Sequence, residues 1–316
     1  MIILKKIGRV ALSVLAGALA LVLLVCIIFN SLKFAIYYDY YSMKSDLCDN
    51  PGLNDGFVCQ GIAAVDGRDL ILVSGYMMGK AASRVYVTDL NSKSYYVELN
   101  RDGKDYTGHA GGIATVGDRV YIANGSKIFD FPLDDLLTAK PGDSVNIGQG
   151  TEINNKASFI FSDDEYLYVG SFMDESTDRV EEHIFNTAEG EHTAICTLYS
   201  VDDLTTPVRV YSIRDYVQGV CVTENGEMIL STSHGLASSV YYVYDLDRAT
   251  DSGKSLDGAP VYYLENLKYE VWGPAMSEGL DVYGGGVITL TESASNKYIF
   301  GKFFFANYIV KLDFNK

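Results

Sequence analysis

The chain has 316 residues, 48% of them hydrophobic, with 24 tyrosines, six prolines and a formal net charge of −16. That length and apolar content suffice for a full core, and the Tyr, Val and Ile content favours strands, whose pleated surfaces such side chains cover well. The acidic balance argues against nucleic acid as a partner, because phosphates attract basic patches.

The first element differs in kind from the rest. Val10 to Phe29 carries no charge and, at about 1.5 Å per residue, can cross a hydrocarbon core of about 30 Å. Lys5, Lys6 and Arg9 precede it, so the positive-inside rule keeps the N-terminus in the cytoplasm and exports the remainder. The alternative is a cleaved signal peptide. However, the small residues Ala16 to Ala20 lie inside the apolar run and no A-x-A site follows it. Val25 before Cys26 is too bulky for a lipoprotein signal.

The expected organisation is a cytoplasmic tail at 1–9, a transmembrane helix at 10–30, a linker at 31–50 and a β-domain at 51–316. This describes a single-pass protein of the cell membrane with its β-domain outside. Beyond residue 33 the chain holds 21 basic and 41 acidic side chains, net −20, a balance that suits display in solvent. The linker is tyrosine-rich, and part of 34–58 is expected to supply a closing strand. Cys48 and Cys59 flank the turn-rich DNPGLNDG and would close a disulfide in an oxidising compartment. Cys196 and Cys221 read as small buried hydrophobes.

The remainder is repetitive. Gln218 to Gly235, QGVCVTENGEMILSTSHG, reads as two short strands around an Asn-Gly turn, a strong hairpin signal. Copies start at Gln60-Gly61 and Glu278-Gly279, with looser ones at Gly111-Gly112 and Ala157-Ser158. A third strand follows each, and an outer run such as Tyr95 to Leu99, Val208 to Ile213 or Val261 to Leu264 comes next. Four antiparallel strands repeated every 50 to 60 residues or so indicate an all-β propeller. Five blades are expected, or six if the insertion DESTDRVEEHIFNTAEGEH in blade three is a degenerate unit. A second insertion, SASNKYIFGKFFFANY in blade five, reads as an extended hairpin or as an exposed binding patch.

The start of a propeller's inner strand and the end of its second strand share a rim. Superposing the copies therefore gathers two rings at one mouth: Gln60, Gly111, Ala157, Gln218 and Glu278, then Ser74, Asn124, Ser171, Ser233 with His234, and Glu292 with Ser293. His109 and Asn155 share a face with the first ring. One reading is a site where His109 or His234 acts as a base while Glu278 or Glu292 holds a cation or a substrate hydroxyl. The other is a channel whose polar lining bonds ordered water. Trp272 either stacks a ligand at the mouth or wedges between blades. Asp245, Asp247 and Asp251 lack the closing glutamate of a calcium loop, and Asn124-Gly125-Ser126 matches a glycosylation sequon.

The hairpins headed by Gln-Gly, Gly-Gly and Glu-Gly resemble those of bacterial exported β-propellers, including the calcium-dependent gluconolactonase and arylesterase type, over about residues 57–316. In that family a glutamate from an E-G start holds a divalent cation over the channel together with Asn and Asp residues. The resemblance thus implies Glu278, with Asn124 or Asn155, as metal ligands and calcium as the cation. Gln60 stands where the family has an acid, and no channel aspartate is evident.

The expected function is binding of a small molecule, a glycan or a protein at the mouth. The alternatives are a metal-dependent hydrolase or lyase using His109, His234, Glu278 and Glu292, or an interaction scaffold.

Overall fold

The computed structural model describes residues 2–314, with side chains from residue 6 onward. A helix spans Ile2–Ile36. Its segment Lys6–Ile36 is long and apolar enough to cross a membrane, a property that signal sequences share, and its apolar window is not buried against the protein. The helix continues past the apolar run through Ser31, Leu32 and Phe34 until Tyr37 leaves helical geometry, and a short helix, Tyr38–Met43, follows. The stretch expected as a linker is therefore helical as far as Met43. Its Tyr40 is buried, with its ring 6.1 Å from that of Tyr241, and Tyr37 bonds Ser238 through their hydroxyls at 3.0 Å.

Five blades follow, each built on four antiparallel strands. Blade one comprises Phe57–Ala64, Leu70–Met77, Arg84–Asp89 and Ser94–Arg101. Blade two comprises Gly112–Val116, Arg119–Asn124, Lys127–Pro132 and Thr151–Glu152. Blade three comprises Phe159–Ser162, Tyr166–Gly170, Ala194–Ser200 and Asp203–Ile213. Blade four comprises Val217–Val222, Glu227–Thr232, Ser239–Asp245 and Leu267–Gly273. Blade five comprises Ser277–Tyr283, Gly286–Thr291, Tyr308–Leu312 and, in its fourth place, Lys44–Asp49 from the N-terminal side. Within that last pair, Lys44 lies opposite Leu312 and Cys48 opposite Ile309.

The inner strands meet each other around the axis, and that of blade five meets that of blade one, so the ring is closed. The recurrent Xaa-Gly explains how they approach so closely. A Cβ on Gly61 would lie 2.6 Å from Ile113 N, one on Gly112 2.5 Å from Ile160 N, and one on Gly219 2.7 Å from Glu278 O. The repeat that marks the hairpins in the sequence is thus a requirement of blade-to-blade packing. Between the blades lie apolar clusters, the largest of which contains Tyr211, Tyr241, Met228 and Ile229.

Three expectations are corrected. Ala259–Tyr263 does not belong to blade four. It pairs in parallel with Asp203–Ile213 and, with Thr250–Leu256, widens blade three to six strands. The blade-three insertion forms only a small hairpin, Phe185–Thr187 with Gly190–His192, so there is no sixth blade. Cys48 and Cys59 are both buried and free: the Cys59 thiol accepts from Asn50 Nδ2 at 3.3 Å and faces Thr291 O at 3.5 Å.

Candidate functional site at the channel mouth

Pairing along the first hairpin passes from Cys59 opposite Gly75 to Gly61 opposite Ser74 and skips Gln60. In blade four it passes from Val217 opposite Thr232 to Gly219 opposite Ser231 and skips Gln218, and blade five has a similar irregularity between Ser277 and Leu280. Such bulges re-aim the side chain of the extra residue. Gln60 and Gln218 consequently face a cavity of about 550 Å³, which His109, Gly111, Asn124, Ala157 and Glu292 also line. Most of the first ring read from the sequence is thus gathered in one place. Tyr76, Lys156, Phe172, Lys297 and Tyr298 line it too and were not anticipated. Lys297 and Tyr298 come from the blade-five insertion, which is built of 3-10 turns (Glu292–Ala294, Gly301–Phe304) and not of a hairpin.

One amide organises the polar groups. Gln60 Nε2 donates to Cys59 O at 2.8 Å and to Glu292 Oε2 at 2.9 Å. A peptide carbonyl can only accept, so the orientation of the amide is fixed and its Oε1 accepts from His109 Nε2 at 2.5 Å. His109 therefore carries its proton on Nε2. Burial, and then the charge of Lys297, lower its pKa to about 4. The residue as a whole is exposed, which works against the shift, but the direction leaves a neutral imidazole at neutral pH.

Burial raises the pKa of Glu292, against bonding from Tyr298 and the charge of Lys297. Glu278, only 2% exposed, is pushed well above the usual carboxylate range by burial and then by the charge of Glu292. The charge of one such carboxyl opposes ionisation of the other. Above it, Lys297 bonds the Tyr76 hydroxyl, and its Nζ stands 5.0 Å from the Tyr76 ring centre and 4.8 Å from that of Tyr298. The Tyr76 ring lies 4.5 Å from that of His109.

Other expected members are placed elsewhere. Ser74 is fully buried and donates to Ala110 O at 2.9 Å, joining blade one to the start of blade two. Its counterpart in blade four is Ser231, which donates to Glu278 O at 2.6 Å. Ser74 was therefore aligned with Ser233 two residues out of register, and Tyr76 takes the place expected for Ser74 at the cavity. Ser171 is buried and bonds the backbone of Ile195, and Ser233 is buried with its amide on Tyr216 O. His234 stacks on Tyr216 with ring centres 5.0 Å apart and does not line the cavity, so the four proposed catalytic residues are not gathered. Trp272 is half exposed on the outermost strand of blade four, bonded to Glu270 at 2.8 Å, and neither lines the mouth nor wedges between blades.

Of the calcium ligands implied by the resemblance, Asn124 lines the cavity and Glu278 and Asn155 do not. Asn124 Oδ1 is engaged by the Ala110 amide at 3.0 Å, where Ala110 holds a positive φ of 49°. Asn155 is buried in blade three and donates to Val169 O and Thr197 Oγ1. Among the described residues no three His, Cys, Asp or Glu side chains come together as a metal site. A deep aspartate does exist. Asp281 is partly exposed, but its oxygens turn inward to accept from Ala64 N at 2.6 Å and Val282 N at 2.8 Å, and burial pushes it up to about 7 despite those bonds.

No protein family and no curated protein matches the sequence. Among solved structures, the chain is 15% identical to the PQQ-bound aldose sugar dehydrogenase of Streptomyces coelicolor, covering 78% of this chain and 76% of that one, with a TM-score of 0.44. It is 9% identical to a putative oxidoreductase (glucose dehydrogenase) of Thermus thermophilus, covering 85% and 99%, with a TM-score of 0.42. It is 13% identical to Kuenenia stuttgartiensis hydrazine synthase, covering 74% of this chain but only 56% of that one, with a TM-score of 0.37. Likeness at that level carries no activity across.

Proposed function

We propose that the chain is a single-pass membrane protein, N-terminus inside, that displays its five-bladed propeller outside and binds a small hydroxylated ligand, a sugar or the end of a glycan, at the channel mouth. The observation that carries this reading is the convergence of Gln60, His109 and Glu292 in one hydrogen-bonded chain at the floor of a cavity of about 550 Å³. That volume lies within the usual range for small-ligand sites, about 300–1,000 Å³.

The chemistry of the lining suits hydroxyl groups. A neutral imidazole, three amides and two phenols offer both donors and acceptors, and the Phe172 ring offers a face on which an apolar edge can rest. The hydrolytic alternative keeps His109 and Glu292 at the mouth but lacks His234 there, and is the weaker reading.

The test is a thermal-shift titration of the purified full chain with mono- and oligosaccharides, alongside His109→Ala. A ligand at 100 times its dissociation constant should stabilise the native state by about 2.7 kcal/mol, and His109→Ala should abolish that shift. If no sugar moves the melting temperature, or His109→Ala responds as the parent does, the proposal fails.

A further inference from the structure

The large apolar side chains that the propeller leaves exposed are concentrated. Met78, Leu236, Ile299, Phe300, Phe305 and Tyr308 each lie after the second strand of a blade or at the start of its third, while Val208 and Trp272 lie on outer strands. All six therefore share the rim onto which the mouth opens. Ile299 is 73% exposed and Phe300 is 70% exposed. Exposed apolar side chains gathered on one rim point to a site of interaction.

The helix indicates what covers it. Asn30 is the first polar residue after the apolar run and donates to Phe303 O at 3.0 Å, and Lys33 donates to Phe304 O at 3.4 Å. The Phe29 and Phe304 rings meet edge-on, 5.2 Å apart. The insertion is thus tied to the helix at the depth where its apolar run ends. If the helix spans a bilayer, that depth is the headgroup layer. The charge pattern agrees: from Ser293 to Leu312 there are three lysines and no acidic residue, in an otherwise acidic domain. A local surplus of lysine suits an anionic lipid surface.

We propose that the blade-five insertion is embedded in the interfacial layer beside the helix exit, with Ile299, Phe300 and Phe305 as its wedge, so that the channel mouth opens onto the membrane surface. Lys297 and Tyr298 line the mouth and immediately precede the wedge. The ligand taken there is then the polar head of a membrane-borne molecule, for which the free sugars of the thermal-shift titration stand in. This rests on the anchored reading above.

The test uses the full chain in vesicles of phosphatidylcholine and phosphatidylglycerol, carrying Trp272→Phe with Phe300→Trp as the only indole. Lipids with a nitroxide high on the acyl chain should quench its fluorescence roughly twofold or more, with blue-shifted emission. Trp272→Phe with Asp118→Trp, in a turn at the opposite rim, should be unquenched. Ile299→Trp in the same background replaces the Phe300 variant if that one misfolds. Resistance to alkaline carbonate extraction reports the anchor independently. If the indole at position 300 emits as in water and is unquenched while the protein stays in the carbonate-washed vesicles, the inference is overturned and the anchor stands. If carbonate releases the protein, both fail.

Discussion

Gln60 and Glu292 are separated by 232 positions in the chain, yet their side chains bond at 2.9 Å and join blade one to blade five at the mouth. Replacing Gln60 by Leu leaves Glu292 and Cys59 O without that donor. A buried polar group stripped of its partner costs about 1–3 kcal/mol, and in a domain of this size each kcal/mol lowers the melting temperature by about 2–4 °C. Thermal denaturation of the full chain in detergent measures this. Adding Glu292→Gln should recover part of the loss, because the stranded charge is then gone.

The buried acids set a pH dependence. Glu278, Glu292 and Asp281 have raised pKa values in the native state, so the folded protein holds protons that the unfolded chain releases. The stability tied to them is fully present below about pH 4, the ordinary carboxylate range, and is lost as pH rises, through about 7 for Asp281. His109, lowered to about 4, has the opposite sign and costs stability as pH falls from about 6.5 to about 4. Three acids outweigh one imidazole above pH 5. The melting temperature should therefore fall between pH 5 and pH 8, and Asp281→Asn should flatten that fall above pH 6. A parent curve that is flat or rises with pH contradicts the assignment.

Gly219→Ala should be among the most damaging single-methyl changes in the propeller. The new Cβ would meet Glu278 O at 2.7 Å and Gly279 Cα at 2.8 Å, both backbone atoms that cannot step aside alone. A loss of about 3 kcal/mol or more is expected, in the upper range for overpacking. Gly226→Ala, with nothing within 4 Å but a φ of +75°, isolates backbone strain alone, about 1–2 kcal/mol. Urea titration of both variants separates the two effects. Equal costs would mean that close approach at the axis is not what the repeat protects.

Mass spectrometry after alkylation in denaturant, without reductant, should find all five cysteines modified, because the structure pairs none of them. Without denaturant, Cys59, Cys196 and Cys221 should resist labelling, since burial raises their thiol pKa values and the thiolate is the reactive form. Retention of a Cys48–Cys59 bridge in the denatured sample would contradict the fold around Asn50.

The architecture was legible because Xaa-Gly at the head of a hairpin has a geometric cause that acts at Gly61, Gly112, Gly219 and Gly279 alike. Gln60, Gln218 and His109 were found through that register. The second ring slipped because Leu70–Met77 extends beyond Ser74, whereas Glu227–Thr232 stops before Ser233. Counting from strand ends therefore misaligned Ser74 with Ser233. Val261 to Leu264 was given to the wrong blade because β propensity does not say which partner a strand takes, and here the partner is parallel and far away in sequence. Lys297 and Tyr298 were missed because they arrive on an insertion with no period to follow.

The strand Lys44–Asp49, just after the N-terminal helices, cannot find its partner until Tyr308–Leu312 has been made. At about 5–20 residues per second, ribosomes take on the order of tens of seconds to supply the intervening chain. Throughout that interval the first-made edge of the ring must wait with its hydrogen-bonding groups unpaired. The ring therefore closes only after Tyr308–Leu312 has emerged, and a product truncated before that strand would keep its ring open.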